Sequence, residues 1–249
     1  MARATSASAL SLSRHSPDPV RLKLLKGFKL HRGREVARLP RNAQRVVAFL
    51  ALQDTPLRRD HVAQCLWLDV PEARAAANLR TALWRIHQLD YRVVESERDQ
   101  IQLADSVVVD LRDVTTKARR LLDSAYQDAD AGLTVDSLEA ELLPGWYEEW
   151  VLLEQERFRQ LRLHALEALC GRLVEGKRFA EAVQAGITAV ASEPLRETAQ
   201  YALITAYMAE GNVVDAIRQY RSYRAVLQEN LGLDPGPLLH ELVRYLPIR

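Results

Sequence analysis

Ala165 and Ala199, Ala168 and Ala202, Leu169 and Leu203, and the dipeptides Glu181-Ala182 and Asp215-Ala216 match at one fixed offset, 34 residues. That offset constrains the fold more than any composition figure does. It is the period of the tetratricopeptide repeat (TPR), a helical hairpin that cannot bury its apolar face alone and must stack on a neighbour. In this frame small residues fall where helices approach, and Tyr207 and Tyr220 fill larger gaps. Gly176 and Gly211 mark the turns inside the repeats, and Pro194 closes the first repeat. Generic amphipathic helices would share no common spacing. Residues 111–249 are therefore expected to form an all-α, TPR-like domain.

The first half follows other periods. Residues 1–19, MARATSASALSLSRHSPDP, are small, Ser-rich and acid-poor, the composition of a disordered tail. From Val20, VRLKLLKGFKLHRGREVARLP alternates apolar and polar residues around Gly27 and Arg32-Gly33, as a small antiparallel sheet does. RNAQRVVAFLALQ (41–53) is helix-periodic and stopped by Thr55-Pro56, and RRDHVAQCLW (58–67) predicts a second helix with Val62, Leu66 and Trp67 inside. Asp69 stands three residues before Glu72 with Pro71 between them, a capping-box spacing that opens a third helix. Arg92–Glu95 and Gln100–Leu103 read as strands joined by a polar turn at 96–99. Sheet, three helices and terminal hairpin over residues 20–110 make a winged helix-turn-helix, so the expected class is mainly α with a small β component.

The third helix, ARAAANLRTALWRIHQLD (73–90), has an apolar side of Ala76, Leu79, Leu83 and Ile86. Its opposite side carries Arg74, Asn78, Thr81 and Arg85 and no acid. A helix in the DNA major groove needs one side anchored to a core and another bearing groups that reach base edges, with Arg suited to guanine and Asn to adenine. Arg74, Asn78, Thr81 and Arg85 are the predicted base contacts. Arg58, Arg59, Trp67 and Arg80 are the predicted backbone contacts, and Arg98 at the hairpin tip is the wing contact, flanked by Glu97 and Asp99. Trp67 fits core filling equally well, and Trp84 is expected to pack on the hairpin. A solvated arginine is the competing reading at each single position. Charge separates the halves: residues 20–98 hold 16 Lys/Arg against 8 Asp/Glu, residues 99–249 hold 16 against 24. Only the first half would attract a polyanion by counterion release, unless both balances are simply solvated faces.

Other chemistry is poorly represented. The six histidines are scattered without metal-ligand spacing, no phosphate-binding glycine loop or nucleophile elbow is present, and the acid pairs Glu148-Glu149 and Glu154/Glu156 read as solvated surface. No enzyme, cofactor or metal is expected. Cys65 and Cys170 lack CxxC spacing and read as reduced structural thiols. Without an apolar run of roughly 18–20 residues or a signal-peptide core, no membrane association and a cytoplasmic location are expected.

The order LKLLKGFKLHRGREVARLPRNAQRVVAFLAL, RRDHVAQCLW, PEARAAANLRTALWRIHQL resembles the OmpR-type winged helix of the Streptomyces antibiotic regulatory protein (SARP) family of transcriptional activators. LLPGWYEEWVLLEQERFRQLRLHALEAL, the repeat hairpins and YRSYRAVLQENLGLDPGPLLHELV resemble that family's bacterial transcriptional activation domain. Together they cover residues 20–246. The resemblance implies binding to direct repeats in double-stranded DNA near promoters, by protomers side by side, with RNA polymerase holoenzyme recruited through its sigma factor. Such a protein acts in the cytoplasm at the nucleoid and regulates antibiotic biosynthesis. Arg74 to Gln88 match the family's recognition helix. The turn ESERDQIQL departs from the Gly-rich, Tyr-containing wing of many relatives. Neither an ATPase nor a phosphopeptide-binding module follows, so nucleotide or phosphorylation input is not expected. The alternative class is a protein-interaction adaptor whose TPR-like groove holds a peptide and whose winged helix binds no DNA.

Overall fold

Alternation at the start of the chain becomes strand β1 (Val20–Lys23), which buries Val20 and Leu22 and exposes Arg21 and Lys23. The structure, a computed structural model, describes residues 18–123 and 132–244. All but the last two residues of the expected tail lie outside that range. β1 pairs antiparallel with β2 (Lys29–Arg32), and β2 with β3 (Glu35–Val36). Helices α1 (Arg41–Ala51), α2 (Arg59–Leu66) and α3 (Glu72–His87) follow, with strand β4 (Leu57–Arg58) directly before α2. The wing is β5 (Val94–Glu97) and β6 (Gln100–Leu103), and β7 (Val107–Val109) closes this part.

Two sheets bracket the helices: β3-β2-β1-β7 at the start and β4-β6-β5 at the wing. The first is not purely antiparallel. β7 joins β1 in parallel, from Val20↔Val107 to Leu22↔Val109. The wing strands run to Glu97, leaving only Arg98-Asp99 as the turn, because Glu97 pairs with Gln100. The expected capping box is also absent. Pro71 is the N-cap of α3 and no side chain caps it; a proline there needs no N–H partner and presets the entry angle.

The helical part contains α4 (Asp110–Leu122), α5 (Val135–Glu139), the long α6 (Glu149–Glu175), α7 (Phe179–Ser192), α8 (Glu197–Glu210), α9 (Val213–Leu231) and α10 (Pro237–Val243). Helices α6 to α9 pack consecutively as stacked hairpins. The repeated positions Ala165, Ala199, Ala182 and Ala216 are fully buried, which is why they are small. Gly186 on α7 is required by the same logic: a Cβ there would lie 2.9 Å from the Leu203 Cα of α8. Gly211 adopts φ 90° after α8, but after α6 the left-handed residue is Lys177 at φ 57°, not Gly176. The 34-residue frame aligns Gly211 with Lys177, so the first repeat turns at some local strain. No helix among the described residues is long and apolar enough to cross a membrane.

One buried apolar cluster includes residues of both parts, from Val20 to Ala206, while Ile204 of α8 and the buried residues of α9 and α10 form a second. The half-buried carboxylate of Asp110, first residue of α4, accepts the backbone N–H groups of Leu24, Leu25 and Leu111. Burial pushes its pKa up, against those bonds. Before α6, the Leu143 N–H donates to Leu24 O at 2.8 Å and the Lys26 N–H to Glu141 O at 2.9 Å. Trp146 stacks on Phe28 and meets the edge of Trp150, which in turn meets Phe49 of α1. The Arg41 guanidinium lies 3.6 Å from the centre of the Trp146 ring, and Arg41 and Arg45 of α1 both pair with Glu148. The helical part is thereby held against the winged helix through side chains and backbone hydrogen bonds.

Candidate nucleic-acid interface

Helix α3 is anchored by Ala75, Leu79, Ala82, Leu83 and Ile86, all buried. This stripe is centred further round the helix than the sequence pattern suggested, with Ala76 only half-buried. Arg74, Arg80, Thr81 and Arg85 are exposed and Asn78 is half-buried. The only acid on α3 is Glu72 in its first turn, while Arg85 and His87 occupy the last turn, each end carrying the sign its helix dipole favours.

Arg74, Arg80 and Arg85 form no ion pair among the described residues, so their charge is available to a polyanion. Arg85 lies against an aromatic ring instead, its guanidinium 4.8 Å from the centre of Trp84. Trp84 does not disappear into the wing: it is 53 % exposed. The Thr81 hydroxyl donates to Ala77 O at 3.0 Å. That bond occupies its proton and leaves a base only its lone pair and methyl group.

The other predicted cations fall at the root of the wing. Pairing of β4 with β6 sets Arg58 opposite Gln100, and the Arg59 N–H donates to Asp99 O at 2.8 Å. Arg58 is already engaged, at 2.7 Å from Asp60 and 3.6 Å from Asp99. The hydrogen bond from Arg58 holds the Asp60 carboxyl down at about 2, so this pair stays charged throughout the neutral range. A phosphate would have to compete with both acids for Arg58. Arg59 has no such partner among the described residues, and its buried Nε makes no hydrogen bond to them. Arg98 sits at the wing tip with φ 53°, a conformation usually given to Gly or Asn in a two-residue hairpin.

Trp67 is buried, with the Arg45 guanidinium 5.7 Å from its ring centre. Arg45 also donates to Leu66 O. Burial lowers its pKa, opposed by the charge of Glu148. One arginine therefore ties α2 to the beginning of α6. Neither this junction nor the exposed Trp84 was predicted. The clustering of Trp146, Tyr147 and Trp150 beside Glu148 was the available sequence signal for the junction.

Comparison with known proteins accords with this architecture. The model of the bacterial transcriptional activator domain matches residues 105–246. The chain belongs to that family. It is 27% identical over 212 residues to the regulatory protein AfsR of Streptomyces coelicolor, across 82% of this chain and 21% of AfsR. It is 40% identical over 77 residues to the transcriptional regulatory protein EmbR of Mycobacterium tuberculosis, across 30% of this chain and 18% of EmbR. The matched segments thus span about a fifth of the length of these curated relatives. A solved structure of M. tuberculosis EmbR, in complex with a low affinity phosphopeptide, superposes with a TM-score of 0.73 at 20% identity. It covers 91% of this chain and 64% of that one. The winged helix followed by TPR-like helices is therefore a fold shared with EmbR, and the similarity to AfsR agrees with the SARP-type resemblance of the sequence.

Proposed function

We propose that this chain is a sequence-specific DNA-binding transcriptional activator that docks α3 in the major groove of direct repeats at promoters. The observation that carries this reading is the outward face of α3, where Arg74, Arg80 and Arg85 are exposed, unpaired with any acid among the described residues, and backed by a fully buried stripe. Arg74, Asn78, Thr81 and Arg85 face bases. Arg59 and Arg80 contact backbone phosphates beside Arg58 and Trp67, and Arg98 reaches the flanking groove. The helical part associates with a second protomer on DNA and contacts RNA polymerase holoenzyme. The relatives are named as regulators, which supports a non-enzymatic role in the cytoplasm, at the nucleoid.

Footprinting upstream of neighbouring genes tests this. Protected direct repeats about one helical turn apart are the expected result. Arg85→Ala and Asn78→Ala should abolish protection with the fold intact. Equal binding to all duplexes, or none, refutes the proposal.

A second reading rests on the exposed Tyr147 and Leu152, which border a groove of about 460 Å³ beside Trp146 and Phe158. In an adaptor this groove would seat a protein segment. A stable protein client recovered with no protected DNA would favour it.

A further inference from the structure

Helical geometry places Trp84 much nearer than Asn78 to the centre of the face turned away from the core, a centre that Ala77 occupies. At about 100° per residue, Trp84 falls about 25° from the line opposite the buried stripe, and Thr81 about 35°. On the same measure Arg74 and Arg80 lie about 55° and 65° away, Arg85 about 75° and Asn78 about 95°. Of the four tryptophans, Trp67 and Trp146 are buried and Trp150 is half-buried, so Trp84 alone is exposed. Its predecessor one face-repeat earlier is Ala77, whose small side chain leaves the approach to the indole open.

A large aromatic surface held in water between cations has little to offer a phosphate. In the major groove the apolar group on a base edge is the thymine 5-methyl, and apolar side chains read it by contact. We propose that Trp84 is a specificity-determining residue: its indole packs on thymine methyl groups while its ring holds the Arg85 guanidinium ready for the adjoining base. The assignment rests on the DNA-binding reading above. It deepens that reading by naming an operator feature, a thymine at the step facing the last turn of α3. The cation–π contact between Arg85 and the ring restrains an otherwise mobile side chain, so Trp84 acts both directly and through Arg85.

The test uses the full chain and a duplex carrying the footprinted site, with each protected thymine replaced in turn by deoxyuridine, which removes only the methyl. Binding is measured by fluorescence anisotropy. Wild type should lose about fourfold at one or two thymines, the value of one buried methyl group. Trp84→Ala should bind more weakly overall and show no deoxyuridine penalty at those positions. Trp84→Phe, which keeps a ring, should retain part of both. Acrylamide quenching of tryptophan fluorescence should fall on DNA binding in wild type but not in Trp84→Phe. Trp84 is outside the core, so these variants should melt as wild type does, and the wild-type deoxyuridine series stands without them. Selective binding by wild type with a flat deoxyuridine series overturns the assignment, as does an undiminished penalty in Trp84→Ala. Failure of wild type to select any duplex overturns the DNA-binding reading itself, and this assignment with it.

Discussion

Trp146→Ala tests whether the winged helix and the repeat helices are one cooperative body. The ring is 4 % exposed, stacks on Phe28 at 6.1 Å between centroids, meets Trp150 edge-on at 6.2 Å, and lies beneath the Arg41 guanidinium. Truncating a buried Trp costs about 3–5 kcal/mol through lost transfer energy and the cavity left behind. The upper half of that range applies here, because two ring contacts and a cation–π contact disappear as well. For a chain of this size each kcal/mol lowers Tm by about 2–4 °C, so the variant should melt about 8–20 °C below wild type. Differential scanning calorimetry reads this, with far-UV circular dichroism as a second probe. Because one buried cluster takes in both the winged helix and helices α4 to α8, the loss should appear in a single transition of those elements. A fall of less than about 3 °C, or a split into two transitions of which only one moves, would refute the account of a shared core.

Three further outcomes follow from individual contacts. Gly186→Val should destabilise the repeats by about 1–3 kcal/mol in urea unfolding, since its side chain must displace Leu203 or part α7 from α8; a neutral result would mean the helices do not approach as described. Burial pushes the Cys170 thiol up to about 12, from an ordinary 9.0. Its raised pKa means the folded state keeps the proton, so this contribution is intact below pH 9.0 and is lost as pH rises toward 12. The decline between pH 9.0 and about 11 is on the order of 3 kcal/mol. Cys170→Ala should flatten that alkaline decline in unfolding titrations, and a thiol reagent should label Cys65 before Cys170 in the native protein. Arg80→Ala should weaken binding to specific and unrelated duplexes alike and reduce the salt dependence by about one counterion. Arg85→Ala should erode the preference between them; equal effects of the two substitutions would contradict the division of roles.

The repeat helices, the helix order of the first half and the amphipathic third helix were legible because each is written in short-range spacing. Leu79 and Leu83 declare a face within one turn of chain, and Ala165 and Ala199 a repeat at a fixed offset of 34 residues. The side chains that stay outside were harder to rank. Asn78 and Trp84 are six residues apart on one helix, and only docking of Ala75 and Ala82 against the core decides that Trp84 faces out more squarely. Arg58 looks like Arg59 in sequence, yet pairing of β4 with β6 delivers Asp99 to Arg58 and leaves the Arg59 Nε without a partner among the described residues. The parallel strand β7 and the joint between the two halves were also invisible. Asp110 meets Leu24 across 86 positions and Arg41 meets Glu148 across 107, distances over which local pattern carries no information. The amino-acid sequence by itself determined which segments become helix or strand and which half carries positive charge, since spacing and composition act within a few residues. Tertiary structure alone decided which exposed groups remain unpaired among the described residues and how the helical body is fixed to the winged helix, because those depend on elements brought together only when the interior closes.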